Sequence, residues 1–132
     1  MGFDTRKALA AAGLVGALAA GGCGKSDADI ERQAAAMTGG EPARGKEAIG
    51  RYSCAICHTI PGVEGARGQV GPSLEGIAVR TYLAGKLPNT PPNLIKWIRE
   101  PQEVQPGTAM PELGVTEQDG KDIAAYLYTL RK

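Results

Sequence analysis

Cys54-Ala55-Ile56-Cys57-His58 is the stretch on which the reading of this chain turns. Two thiols two residues apart, followed at once by an imidazole, admit four chemistries. A zinc site needs four ligands, but the chain holds one histidine and three cysteines, and Cys23 lies far from the other two. A thioredoxin-like dithiol belongs in a βαβ setting, which is absent. A Cys54–Cys57 disulfide would suit an oxidising compartment, but it leaves His58 and everything downstream without a task. The fourth reading uses all three side chains. Cys-x-x-Cys-His attaches a c-type haem, the two thiols adding across its vinyl groups and the adjacent histidine lying beneath the iron as a ligand.

Counting the remaining donors completes the metal site. His58 is the only histidine, so the second axial ligand is not another imidazole. The methionines are Met1, Met37 and Met110. The first goes with the N-terminal segment and the second lies in a polar stretch. Met110 sits in Pro106-Gly107-Thr108-Ala109-Met110-Pro111, a Pro/Gly-bounded loop outside any helical stripe. A methionine is more often core filler, but this loop can present one thioether rigidly. His58 and Met110 are therefore the expected iron ligands. A thioether favours ferrous iron and raises the potential; it also fills the sixth position, leaving no place for a substrate or oxygen.

Composition is consistent with a bound prosthetic group. Aromatic residues make up 5% of the chain, with a single Phe, so a domain of this size has a thin core of its own. The 15 Lys and Arg against 14 Asp and Glu nearly cancel and form no run, so nothing points to nucleic acid.

The N-terminus reads as an export signal. Arg6 and Lys7 precede Ala8 to Gly22, fifteen residues of Ala, Gly, Leu and Val. That is shorter than the roughly 20 residues a membrane-spanning helix needs and the right length for a secretory h-region. N-myristoylation at Gly2 fails because Arg6 stands where Ser or Thr is required. Leu18-Ala19-Ala20-Gly21-Gly22-Cys23 resembles a bacterial lipoprotein signal, in which the cysteine is lipidated and becomes the new N-terminus, although Ala20 stands where that pattern has Leu. The alternative is cleavage after Ala19, leaving Cys23 as a free thiol. The expected organisation is a signal over 1–22, a lipidated cysteine and tether over 23–40, and a domain over 41–132. Within the tether the pattern allows a short helix around Asp29–Met37 with little apolar face to bury, and a flexible stretch of about 18 residues would span on the order of 25 Å.

Within the domain the apolar period is helical. Pro42 opens a helix through Tyr52, Thr90-Pro91-Pro92-Asn93 opens one through Arg99 that Pro101 ends, and Thr116 caps a last one. There Ile123, Tyr126, Leu127 and Leu130 fall at i, i+3, i+4 and i+7. Asp119 offers an acidic variant of the capping box, and Lys121, Arg131 and Lys132 sit late enough to favour the helix dipole. No stretch alternates with period 2, so the expectation is an all-α domain of about three to five helices around the haem.

Residues from about 43 to 132 resemble a small class I cytochrome c. The resemblance rests on Gly45-Lys46-Glu47-Ala48-Ile49, Gly71-Pro72-Ser73-Leu74, Pro106 to Pro111, and Asp122-Ile123-Ala124-Ala125-Tyr126-Leu127. It is especially similar to cytochrome c domains associated with terminal oxidases, whose Asn-Leu-x-x-Trp-Ile is matched by Asn93-Leu94-Ile95-Lys96-Trp97-Ile98. The resemblance implies that the first helix, through Gly45 and Ile49, crosses the last near Tyr126 and Leu127. It implies that the Pro72 carbonyl accepts the second ring N–H of His58, and it makes Arg80, Asn89 and Trp97, with Tyr82 behind them, candidates for the haem propionates. The expected function is that of a one-electron carrier tethered by lipid. Its partners are redox proteins, membrane respiratory or photosynthetic complexes, and it takes no small-molecule substrate. The alternative is a haem-bearing subunit of a larger oxidase or periplasmic dehydrogenase.

Overall fold

The computed structural model describes residues 24–132, so the signal segment and the lipidation reading at Cys23 lie outside the described residues. Five helices are present there: α1 (Asp27–Thr38), α2 (Pro42–Arg51), α3 (Pro91–Arg99), α4 (Pro101–Val104) and α5 (Glu117–Leu127). Single 3-10 turns form at Cys54–Ile56 and Ile77–Val79. One antiparallel pair, β1 (Tyr82–Leu83) with β2 (Leu87–Pro88), is added to the all-α expectation. Two residues per strand are too few to show alternation. Ala84 and Gly85 make the turn between them, both with φ in the left-handed region at 48° and 72°.

The packing of α2 on α5 is the largest helix interface of the fold. Ala48 and Ile49 of α2 and Ile123, Ala124 and Leu127 of α5 are buried there. The backbones touch at Gly45, where a Cβ would stand 1.9 Å from the Asp122 carbonyl oxygen. The crossing therefore falls at Asp122–Ile123, one turn before Tyr126–Leu127. Asp122 is the reason: its carboxylate accepts the Glu41 backbone N–H at 2.7 Å and two bonds from Arg44, fixing the start of α2 against the middle of α5.

The ends of α5 depart from expectation as well. Thr116 caps it, accepting the Asp119 N–H at 3.1 Å. Asp119 does not return the bond. Its carboxylate instead takes the Tyr52 hydroxyl at 2.8 Å and Arg51 at 2.6 Å. The helix stops at Leu127, so Arg131 and Lys132 fall beyond it, and Lys121 pairs with Glu117 one turn back. Pro101 both ends α3 and opens α4.

The expected tether is mostly helix. Ser26 and Asp29 form a reciprocal capping box at the start of α1, and the helix packs along α5. Ala34 is 1% exposed and Thr38 is buried, its hydroxyl bonded to the Ala34 carbonyl at 2.9 Å. A face built from alanine and threonine gives a faint hydrophobic pattern, yet small side chains let two helices lie close. The folded unit thus begins near Ser26 and not at residue 41. Between Cys23 and that cap only Gly24 and Lys25 remain.

Candidate functional site

The motif follows directly from α2. Ser53, with φ 57°, turns the chain out of the helix, and the Cys57 and His58 amides then both bond to the Cys54 carbonyl, at 3.2 and 3.0 Å. Cys54, Cys57 and His58 thereby share the lining of one cavity of about 410 Å³, a size usual for cofactor sites. The two cysteines are not joined to each other in a disulfide.

The rest of the lining is mostly apolar. Ile49, Leu74, Ile77 and Leu83 contribute, together with Leu94, Trp97 and Ile98 of α3 and Ile123 and Leu127 of α5. Met110 joins it from the loop after α4, with Ala109 and Pro111 on either side. The only histidine and the domain's loop methionine, 52 residues apart in sequence, thus face one space.

His58 is held in one tautomer. Its Nδ1 lies 2.7 Å from the Pro72 carbonyl oxygen. A carbonyl can only accept, so Nδ1 carries the proton and Nε2 keeps a lone pair for a metal. Gly71 makes this approach possible, because a Cβ there would stand 2.4 Å from His58 Cε1. Sequence reading missed that role, although the glycine preceding Pro72 was the available signal.

The other candidates divide. Arg80, Trp97 and Tyr82 line the cavity. The Arg80 guanidinium also donates to the Ser73 and Glu75 carbonyls, the latter at 2.9 Å. Asn89 is not among the lining residues. Its amide donates to the Ile77 and Arg80 carbonyls, at 2.8 and 2.9 Å, and accepts the Tyr128 hydroxyl at 2.9 Å. The three bonds commit the side chain to holding the Ile77–Arg80 turn.

This donor set fits a haem. Paired thiols stand beside an imidazole with a free Nε2, a thioether shares the same space, and a glycine clears room behind the histidine ring. The walls can exclude water from a large apolar ring.

Comparison with known proteins gives the same reading. Residues 42–131 match the family model described as Cytochrome c. The chain is 36% identical over 105 residues to cytochrome c2 of Rhodopila globiformis, covering 70% of this chain and 95% of that protein. It is 34% identical over 89 residues to cytochrome c oxidase subunit 2 of Alkalihalophilus pseudofirmus, covering 67% of this chain but 25% of that subunit. The same subunit from Bacillus sp. is 33% identical over 89 residues, again 25% of its length. The chain thus spans about a quarter of the oxidase subunits it matches. No solved structure matches at a significant level. The chain belongs to the cytochrome c family, and it carries a covalent haem c through Cys54 and Cys57.

Proposed function

We propose that this protein is a mono-haem one-electron carrier whose iron is ligated by His58 and Met110. It works on the exported side of a bacterial membrane and is anchored there through a lipidated Cys23. The observation that carries the reading is the shared lining of His58 and Met110, with His58 Nδ1 committed to Pro72 and Nε2 left for the metal. The haem supplies the Fe(III)/Fe(II) couple. The chain supplies ligands that raise its potential and an apolar wall that keeps water out. His58 and Met110, both bound to the iron, would leave no site for substrate or oxygen, which would separate a carrier from an oxygen-activating or peroxidase haem. Arg80 and Trp97 are the chain's candidates for the propionate edge.

The likeness to cytochrome c2 over 95% of its length supports a free-standing carrier, exchanging electrons with respiratory or photosynthetic membrane complexes. The likeness to cytochrome c oxidase subunit 2 supports a second reading, a haem subunit fixed within a larger oxidase or dehydrogenase. Mild detergent extraction followed by size exclusion separates them, because a stoichiometric complex favours the subunit and a lone small species the carrier.

The ligation is tested in the oxidised spectrum. A methionine–iron charge-transfer band is expected in the wild type and should vanish in Met110→Ala. Its absence from the wild type would overturn the His58/Met110 assignment. Mass spectrometry of the mature protein tests the anchor by reporting acyl chains on Cys23. An N-terminus at residue 20 with an unmodified thiol would dismiss it.

A further inference from the structure

Gln102 lies in α4, outside the cavity, yet it makes three hydrogen bonds to the loop that carries Met110. Its side-chain Nε2 donates to the Thr108 carbonyl at 2.8 Å and to the Met110 carbonyl at 3.0 Å. Its Oε1 accepts the Gly107 N–H at 3.1 Å. These partners fix which way the amide faces, since a flipped side chain would set its oxygen against two carbonyls and its NH2 against an N–H. One side chain thus satisfies backbone groups at both ends of Gly107–Met110. The loop's own bonds are few and local: Thr108 N–H to the Gln105 carbonyl at 3.1 Å, and Met110 N–H to Thr108 Oγ1 at 3.4 Å.

A thioether is a weak neutral donor, so an iron–methionine bond persists only if the loop presents sulfur at little conformational cost. Proline at 106 and 111 stiffens the loop ends, and Gln102 is the tie that joins its middle to a helix. We propose that Gln102 is a positioning residue for the haem site, holding the Gly107–Met110 loop so that Met110 stays on the iron and exogenous ligands are kept off. The proposal rests on Met110 being the axial ligand. It adds a residue that touches neither haem nor metal.

Gln102→Glu and Gln102→Ala test it. The glutamate keeps length and the acceptor for Gly107 but removes both donors and sets a carboxylate oxygen against two carbonyls. The alanine removes all three bonds. In both variants the ferric protein should bind cyanide faster than wild type, by roughly ten-fold, the factor carried by one to two net hydrogen bonds. The methionine–iron band should weaken. A residue with only a structural role would lower the melting temperature and leave cyanide binding and the band unchanged, and that result overturns the proposal.

Amide exchange supplies a readout that needs no variant to fold. The Gly107 N–H should be protected in the wild type, and finding it unprotected would also overturn the proposal. The outcomes separate from those of the ligation itself. A wild type lacking the band defeats the Met110 assignment, whereas a band present in wild type and unmoved in both variants defeats only Gln102.

Discussion

Arg44 grips Asp122 with two hydrogen bonds, Nε to Oδ2 at 2.9 Å and Nη2 to Oδ1 at 3.0 Å, where α2 crosses α5. The same carboxylate accepts the Glu41 N–H at 2.7 Å and the Gln118 amide at 3.0 Å, and its side chain is only 2% exposed. Burial by itself raises the Asp122 pKa. Hydrogen bonds from Arg44, Glu41 and Gln118 to the charged form outweigh it and hold the carboxyl below its ordinary value.

The sign of the pH dependence follows. A carboxyl depressed in the folded state contributes its full stabilisation above the unfolded value of about 3.9, and loses it as pH falls from there through the folded value. Asp122→Asn should lower stability at neutral pH by about 2 kcal/mol, the scale of a charge-assisted bond. It should also flatten the acid limb of a melting-temperature profile. A wild-type profile in the variant would show that the clasp contributes nothing.

Two glycines of α2 should respond oppositely to alanine. At Gly45 the new Cβ meets the Asp122 carbonyl carbon at 2.5 Å as well as its oxygen, so α2 and α5 must separate. Urea unfolding should report a loss at or above the top of the roughly 1–3 kcal/mol range for overpacking. At Gly50 a Cβ meets nothing within 4 Å. There the change should stabilise by about 0.4–1 kcal/mol through the unfolded chain.

Gly71→Ala should act on the ring it backs. The methyl group displaces His58 from the Pro72 carbonyl, which lowers the basicity of the imidazole and loosens its hold on iron. The expected result is less haem-loaded protein and a partly high-spin ferrous spectrum. Pro72→Ala, which keeps the carbonyl, should retain the low-spin spectrum. Identical spectra in both variants would count against the Nδ1 contact as the controlling feature.

Tyr128 governs the alkaline side. Burial pushes its phenol up to about 12. The unfolded phenol ionises near 10, so between those values the unfolded state releases a proton that the folded state keeps. Stability then falls as pH rises, by about 1.4 kcal/mol per unit at most. Tyr128→Phe should shrink that alkaline slope. At pH 7 it should cost roughly 1–2 kcal/mol, because the Asn89 oxygen loses its donor. An unchanged slope would place the alkaline loss elsewhere.

What the sequence disclosed was whatever is local in the chain. Cys54, Cys57 and His58 are contiguous, Met110 stands out by elimination, and α5 repeats its apolar residues at helical spacing. What it withheld depends on distant partners. Asp122 reads as an ordinary helix-surface carboxylate until Arg44 and the α2 N-terminus come against it. Asn89 reads as a loop residue free to meet a ligand until Tyr128 and two carbonyls occupy its amide. Gln102 is silent in sequence because its partners are backbone groups. The face of α1 is alanine and threonine, so no periodicity marks it as core.

Helix α1 alters the geometry of any attachment at Cys23. A chain of 18 flexible residues would let the haem roam, but Gly24 and Lys25 reach only roughly 10 Å to the cap at Ser26. Acyl chains on Cys23 would therefore moor the domain by the start of α1, with a narrow choice of tilt. The haem would ride at nearly constant height beside the bilayer. Its donor and acceptor would have to offer their own redox centres at that height, and electron transfer would be a matter of lateral encounter in two dimensions and not of a swinging arm.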